Sequence, residues 1–122
     1  VQLISLQKGP AAVHMAEVSF ARKIATLDAD PAADADFFLD TAAAMMSLDL
    51  IVTCDTSVAH LAGALGRPVF TALPVVADWR WMIGREDSPW YPSLRIFRQA
   101  APGGWDAVMA RIADAVQALR TD

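Results

Sequence analysis

Residues 48–74, LDLIVTCDTSVAHLAGALGRPVFTALP, carry the pattern around which the rest of the chain is arranged. Leu50, Ile51 and Val52 form a short apolar, β-rich run that predicts a strand buried on both faces. The run ends in Thr53-Cys54-Asp55-Thr56-Ser57, small and polar residues suited to capping a helix, with Asp55 as the expected N-cap. From Val58 the period turns helical: Val58, Leu61, Ala62 and Leu65 fall at i, i+3, i+4 and i+7, a stripe expected to face a sheet. Gly66 supplies a left-handed helix stop. Arg67-Pro68 then leads into a second buried strand over residues 69–73, closed by Pro74. Strand, turn, helix, turn, strand is a βαβ unit, which predicts parallel strands and a right-handed crossover.

The chemistry expected of that unit follows from its geometry. In an open parallel sheet, ligands collect beyond the carboxyl ends of the strands. The Asp55-Thr56-Ser57 turn lies at such an end and opens a helix, whose free N–H groups and positive dipole end suit an anion such as phosphate. With the apolar stripe on the sheet, Thr56, Ser57 and His60 fall on the other face near the helix start. Two hydroxyls and an imidazole placed there can bond phosphate and ribose oxygens. A strand-to-helix turn also needs a cap whatever its function, so residue types alone leave anion binding and ordinary capping both open.

The remaining chain repeats the alternation. Residues 1–6 read as a strand, followed by Gln7-Lys8-Gly9-Pro10 and a helix over 11–22 with Pro10 in its first turn. Lys8 is expected on the same sheet edge as Thr56 and Ser57, where a lysine acts on a diphosphate as a point charge; a solvated lysine beside a turn is the plainer alternative. A short strand is expected at 24–27 and an acidic loop at 28–36. Asp28, Asp30, Asp34, Asp36 and Asp40 match no calcium-loop spacing, so a solvated surface is expected and no metal site. Asp40 is the expected N-cap of a helix over 40–48, with Met45 and Met46 as core filler. Residues 75–93 form a long irregular connection holding Trp79, Trp81, Trp90 and Tyr91, rings that can stack a base or sugar or pack the loop onto its own sheet. A last strand at 94–97 precedes Gly103-Gly104 and an amphipathic helix over 105–119, with Val108, Ile112, Val116 and Leu119 aligned. The result is an α/β expectation: one three-layer α/β/α Rossmann-like domain over 1–122, with about five mainly parallel strands in the order 2-1-3-4-5.

Composition narrows the class. Of 122 residues, 55% are hydrophobic and 20% charged, which is globular. No apolar run approaches the roughly 18 residues of a membrane span. A net charge of −4 argues against nucleic-acid binding. One cysteine, Cys54, excludes an internal disulfide and reads as a small core residue, fitting a reducing, cytoplasmic setting. The first residue is Val1 and no signal-peptide pattern follows it, so a piece of a larger protein is expected.

The run Asp40-Thr41-Ala42-Ala43, then Leu48-Asp49-Leu50-Ile51-Val52, then the continuous stretch from Asp55 to Pro68, DTSVAHLAGALGRP, resembles the donor-binding half of glycosyltransferase family nine. These are the heptosyltransferases and their relatives fused to tetratricopeptide repeats. The resemblance implies the second Rossmann-like domain of a two-domain (GT-B) inverting glycosyltransferase, with no cofactor beyond a UDP- or ADP-linked sugar as co-substrate. It implies nucleotide and diphosphate binding by Lys8, Asp55, Thr56, Ser57 and His60. Gln7 is a weaker neighbour of Lys8 at the diphosphate, and Asp40, Thr41, Asp78, Trp79 and Arg80 are further candidates near the base, ribose or donor sugar. The catalytic base would belong to a missing N-terminal domain, so no catalytic residue is assigned here. A Rossmann-like interaction domain of a repeat protein, with a vestigial nucleotide site, is the alternative, and a nucleotide-sugar epimerase of the same shape is a third reading. A cleft uniting Lys8 with the 55–60 turn would favour the transferase; a cleft blocked by Trp79 or Trp81 would favour the interaction domain.

Overall fold

The computed structural model describes residues 1–8, 10–27 and 37–120. The chain divides into two compact units, residues 1–41 and 42–122. In the first, β1 (Leu3–Ser5) and β2 (Ile24–Thr26) pair in parallel, Leu3 opposite Ile24 and Ser5 opposite Thr26. Between them the chain makes 3₁₀ turns at Pro10–Glu17 and Ala21–Lys23, not the continuous α-helix expected over 11–22. That segment has little apolar face to bury: Val13 and Phe20 stay exposed. Packing of an amphipathic face is what normally stabilises a helix. The expected acidic loop at 28–36 lies outside the described residues.

Helix α1 (Phe37–Met46) begins before the expected start. Asp40 therefore sits within its first turn, where a carboxylate complements the helix dipole, and is not the N-cap. Met45 is fully buried, while Met46 is exposed.

The second unit holds a three-stranded parallel sheet in the order β3 (Ile51–Cys54), β4 (Val69–Leu73), β5 (Leu94–Arg98). Ile51 pairs with Val69, and Val69 with Leu94. The βαβ unit is present as expected, with α2 (Ser57–Ala64) joining β3 to β4. The central strand β4 is covered on both faces, as a near-continuous apolar run requires: Val69, Thr71 and Leu73 are buried on one, and Ala72 is buried beside half-buried Phe70 on the other. β3 is not: Ile51 is buried, Val52 is half exposed, and Cys54 is exposed and not a core residue.

Helix α2 ends as Gly66 demands. Gly66 has φ +67°, its N–H donates to Gly63 O, and Arg67 N–H donates to Ala62 O, which together form a Schellman cap. The face it buries is shifted from the expected stripe. Ala59, Ala62 and Gly63 are buried, while Val58, Leu61 and Leu65 are only partly so. Small residues permit close approach here: a Cβ added to Gly63 would stand 2.7 Å from Tyr91 Cδ1.

Helix α3 (Trp105–Leu119) covers β4 and β5. Val108 and Ile112 pack with Ala72 and Phe97, flanked by Phe70, Ala115 and Val116, while Leu119 remains exposed at the helix end. The sheets are therefore the pairs and triples 1-2 and 3-4-5 of a mixed α/β chain. Among the described residues, no helix is long and apolar enough to cross a membrane.

Candidate functional site

The turn between β3 and α2 supplies the first part of the site. Thr56, and not Asp55, is the N-cap, with extended backbone (φ −142°, ψ 171°) and no side-chain capping bond. Its Oγ1 lies 3.3 Å from Thr53 Oγ1. Asp55, Thr56 and Ser57 are all exposed. The first N–H groups of α2 are thus left without a hydroxyl or carboxylate cap, at the carboxyl end of a parallel strand. Two hydroxyls lie at this turn, that of Thr56, which is paired with Thr53, and that of Ser57 one residue on.

His60 is placed differently from the expectation. One helical turn on, it is half-buried and engaged on two sides. Its ring stacks on Trp81, with centroids 5.1 Å apart and planes 23° apart, and meets Tyr91 edge-on at 5.7 Å. His60 Nδ1 lies 3.0 Å from the Tyr91 hydroxyl, so one ring nitrogen is committed to the protein. Trp81 is itself buried, and its indole N–H has no partner.

The 75–93 connection that delivers Trp81 and Tyr91 is tied down at several points. Asp78 caps a 3₁₀ turn at Trp79–Trp81, accepting from Arg80 N–H at 3.0 Å and from the Arg80 guanidinium at 2.8 Å. The Arg80 backbone N–H, then its guanidinium, hold the Asp78 carboxyl below the usual carboxylate range, with His60 adding a smaller electrostatic pull. Asp78 thus sits in the field of His60. Arg98, the last residue of β5, donates to Met82 O at 2.7 Å, Trp81 O at 3.3 Å and Val75 O at 3.5 Å. Met82 has φ +54°, an uncommon conformation for a residue with a side chain, and Arg98 holds the carbonyls on either side of that bend.

The other two rings face outward. Trp79 and Trp90 meet edge-on at 6.5 Å, 69% and 52% exposed, and Trp90 Nε1 donates to Arg80 O at 3.0 Å. The Arg80 guanidinium lies over Trp79 at 4.8 Å.

The remaining candidates lie elsewhere in the chain. Gln7 and Lys8 follow β1 in the first unit; Gln7 N–H donates to Ser5 Oγ at 3.2 Å, and Lys8 is half-buried. Asp40 is exposed on α1, and Thr41 beside it is buried. Within the second unit, Thr56 and Ser57 share one turn, while His60, Asp78 and Arg80 gather around Trp81. Tyr91 is one of the rings the sequence singles out in this connection, whereas Gly63 and Arg98 do not stand out as site residues in the sequence. An isolated glycine inside a helical pattern was the available signal for a close approach. Among the described residues no group of three or more His, Cys, Asp or Glu is placed to hold a metal ion.

Comparison with known proteins adds one likeness. The chain is 37% identical over 78 residues to Protein FlbA of Caulobacter vibrioides, an alignment that takes in 64% of this chain and 13% of that protein. The chain therefore matches only a small part of the length of this relative. No family model matches the chain. No solved structure matches it.

Proposed function

We propose that this chain is the nucleotide-sugar binding half of an inverting glycosyltransferase resembling the heptosyltransferases. In this reading the two parallel pairings belong to one Rossmann-like sheet in the order 2-1-3-4-5, layered by helices, and the protein works in the cytoplasm. The observation that carries the reading is the Thr56-Ser57 turn: an exposed helix N-terminus, without a side-chain cap, at the carboxyl end of a parallel βαβ unit. A diphosphate there meets unpaired N–H groups and two hydroxyls, the arrangement that stabilises a departing nucleoside diphosphate. Lys8 adds a cation to that diphosphate, and Asp78, Arg80 and Trp79 contact the sugar. The base that activates the acceptor would come from a second domain, so this chain alone transfers no sugar.

The test is calorimetric titration with uridine and adenosine diphosphates and their sugars. Binding between roughly micromolar and millimolar is expected for half a cleft. Thr56→Val should weaken it by about 1–2 kcal/mol, the scale of a hydrogen bond to a charged group, and leave the unfolding midpoint nearly unchanged. Equal affinities would remove Thr56 from the site.

The packing of Trp81 on His60 favours a second reading, a non-catalytic interaction domain with a vestigial nucleotide site. His60 is then a structural residue, and the outward Trp79, Trp90 and Ile83 surface is the part that meets a partner. Failure of every nucleotide to bind at millimolar concentration would select it.

A further inference from the structure

A cavity of about 260 Å³ lies on the β5 side of the sheet, lined by Gly84, Arg85, Glu86, Ile96, Arg98 and Arg111. It is smaller than the roughly 300 Å³ at which pockets for drug-sized ligands begin, so it suits an ion or a small headgroup. Its chemistry is out of keeping with the chain as a whole. The protein carries a net charge of −4, yet four of its ten basic residues, Arg85, Arg95, Arg98 and Arg111, gather at this place. Two carboxylates answer them. Asp87 takes Arg85 in a two-point contact at 2.7 and 2.8 Å, and Glu86 is shared between Arg111 at 2.7 Å and Arg95 at 3.2 Å. Arg98 has no carboxylate partner among the described residues. Its charge is held half-buried against backbone carbonyls alone.

We propose that this cavity binds a phosphate group, separately from the Thr56 turn. The three guanidiniums lining it carry five N–H donors each, and the protein's own contacts use about half of them. A tetrahedral oxyanion offers acceptors in several directions at once, as three separately rooted guanidiniums require. Arginine's planar fork is the side chain best matched to it. The positions are fixed in advance: Arg98 by the loop carbonyls, Arg111 by Arg98 O at 3.1 Å, Arg85 by Asp87. A phosphate bound here would neutralise the Arg98 charge, which no carboxylate meets among the described residues. The proposal does not depend on nucleotide binding.

The experiment is titration of the 122-residue chain with inorganic phosphate and, in parallel arms, glucose 1-phosphate and acetate, followed by amide chemical shifts. Saturable shifts confined to residues 84–86, 96, 98 and 111 are expected, with phosphate tighter than acetate. A response to glucose 1-phosphate stronger than to inorganic phosphate marks the phosphate as part of a larger ligand; the reverse marks the free ion. Arg111→Gln should weaken binding about tenfold, on the scale of one charge-assisted hydrogen bond. Glu86→Gln should strengthen it by a similar factor, which a merely structural clamp would not do. Thr56→Val, which would alter a response at the α2 turn, should leave it unchanged. Melting curves confirm that the variants are folded. No saturable response, shifts centred on residues 56–60, or affinities unmoved by both Arg111→Gln and Glu86→Gln would each overturn the proposal.

Discussion

Gly63→Ala should destabilise this protein, although glycine to alanine inside a helix ordinarily does the reverse. On propensity alone the change is worth up to about 1 kcal/mol in favour of folding. At this position the new methyl would stand 2.7 Å from Tyr91 Cδ1 and 2.8 Å from Tyr91 Cβ. Rotating the ring relieves the first contact but not the second, because Cβ moves only with the backbone. The loop must therefore shift. Overpacking of this kind costs about 1–3 kcal/mol. Displacing Tyr91 also sacrifices its hydrogen bond to His60, worth about 1 kcal/mol. The sum favours a net loss of about 1–3 kcal/mol.

Urea denaturation of wild type and variant measures it, with an unchanged slope showing that stability alone has moved. The control is the same substitution in a Tyr91→Ala background, where the obstruction is gone and Gly63→Ala should be neutral or stabilising by up to about 1 kcal/mol. A Gly63→Ala protein as stable as wild type, or a penalty that persists without Tyr91, would refute the close approach of α2 to the loop.

Two further outcomes are expected. Phe97→Ala, which empties the space between Ala72, Val108 and Ile112, should cost about 3–5 kcal/mol by the same denaturation measurement, and a loss below about 1 kcal/mol would mean that α3 does not rest there. Asp78 should titrate below the ordinary Asp value of 3.8 when its carboxyl resonance is followed against pH. Because the folded-state value is lowered, its stabilising contribution is present above the unfolded value and lost only as pH falls below about 4. Arg80→Gln should raise the midpoint only in part, since the Arg80 backbone N–H is the larger cause; a midpoint at or above the ordinary value in wild type would remove the cap.

The parts of the fold legible in the sequence are those fixed by short-range rules. β4, α2 and the Gly66 cap were readable because a β-branched run, a helical period and a left-handed glycine each constrain the backbone locally. Legibility failed where a distant neighbour decides the outcome. The buried face of α2 is Ala59, Ala62 and Gly63, one residue round from the Val58 stripe, because what packs against it includes Tyr91 from 28 positions beyond Gly63. Periodicity puts His60 on the face opposite the Val58 stripe, and it cannot show that rings from a connection without periodicity half-bury it there. The 11–22 segment failed for another reason. Its composition suits a helix, but its apolar residues find little to cover, and propensity without packing gives short 3₁₀ turns.

The connection over 75–93 is where these lines meet. Four aromatic residues in one loop suggest a ring platform, and half of them are. Trp81 and Tyr91 are spent on His60, while Trp79 and Trp90 stay exposed. The division follows from how the loop is anchored. Arg98 draws Trp81 O and Met82 O toward β5, and Asp87 bridges antiparallel to Arg95 on the same strand. Both anchors hold the middle of the loop against the sheet edge, which fixes Trp81 inward. Trp79, just ahead of that anchor in the Asp78-capped turn, is left outward. A ligand at the Thr56 turn can then use only the second nitrogen of His60, since Nδ1 already faces Tyr91. Freeing the whole imidazole would require Tyr91 to leave, and Tyr91 is seated against Gly63 on the same helix. A ligand that displaces Tyr91 from His60 would therefore register in the packing of α2, so on the proposed nucleotide site Gly63→Ala should alter nucleotide affinity by calorimetry as well as stability.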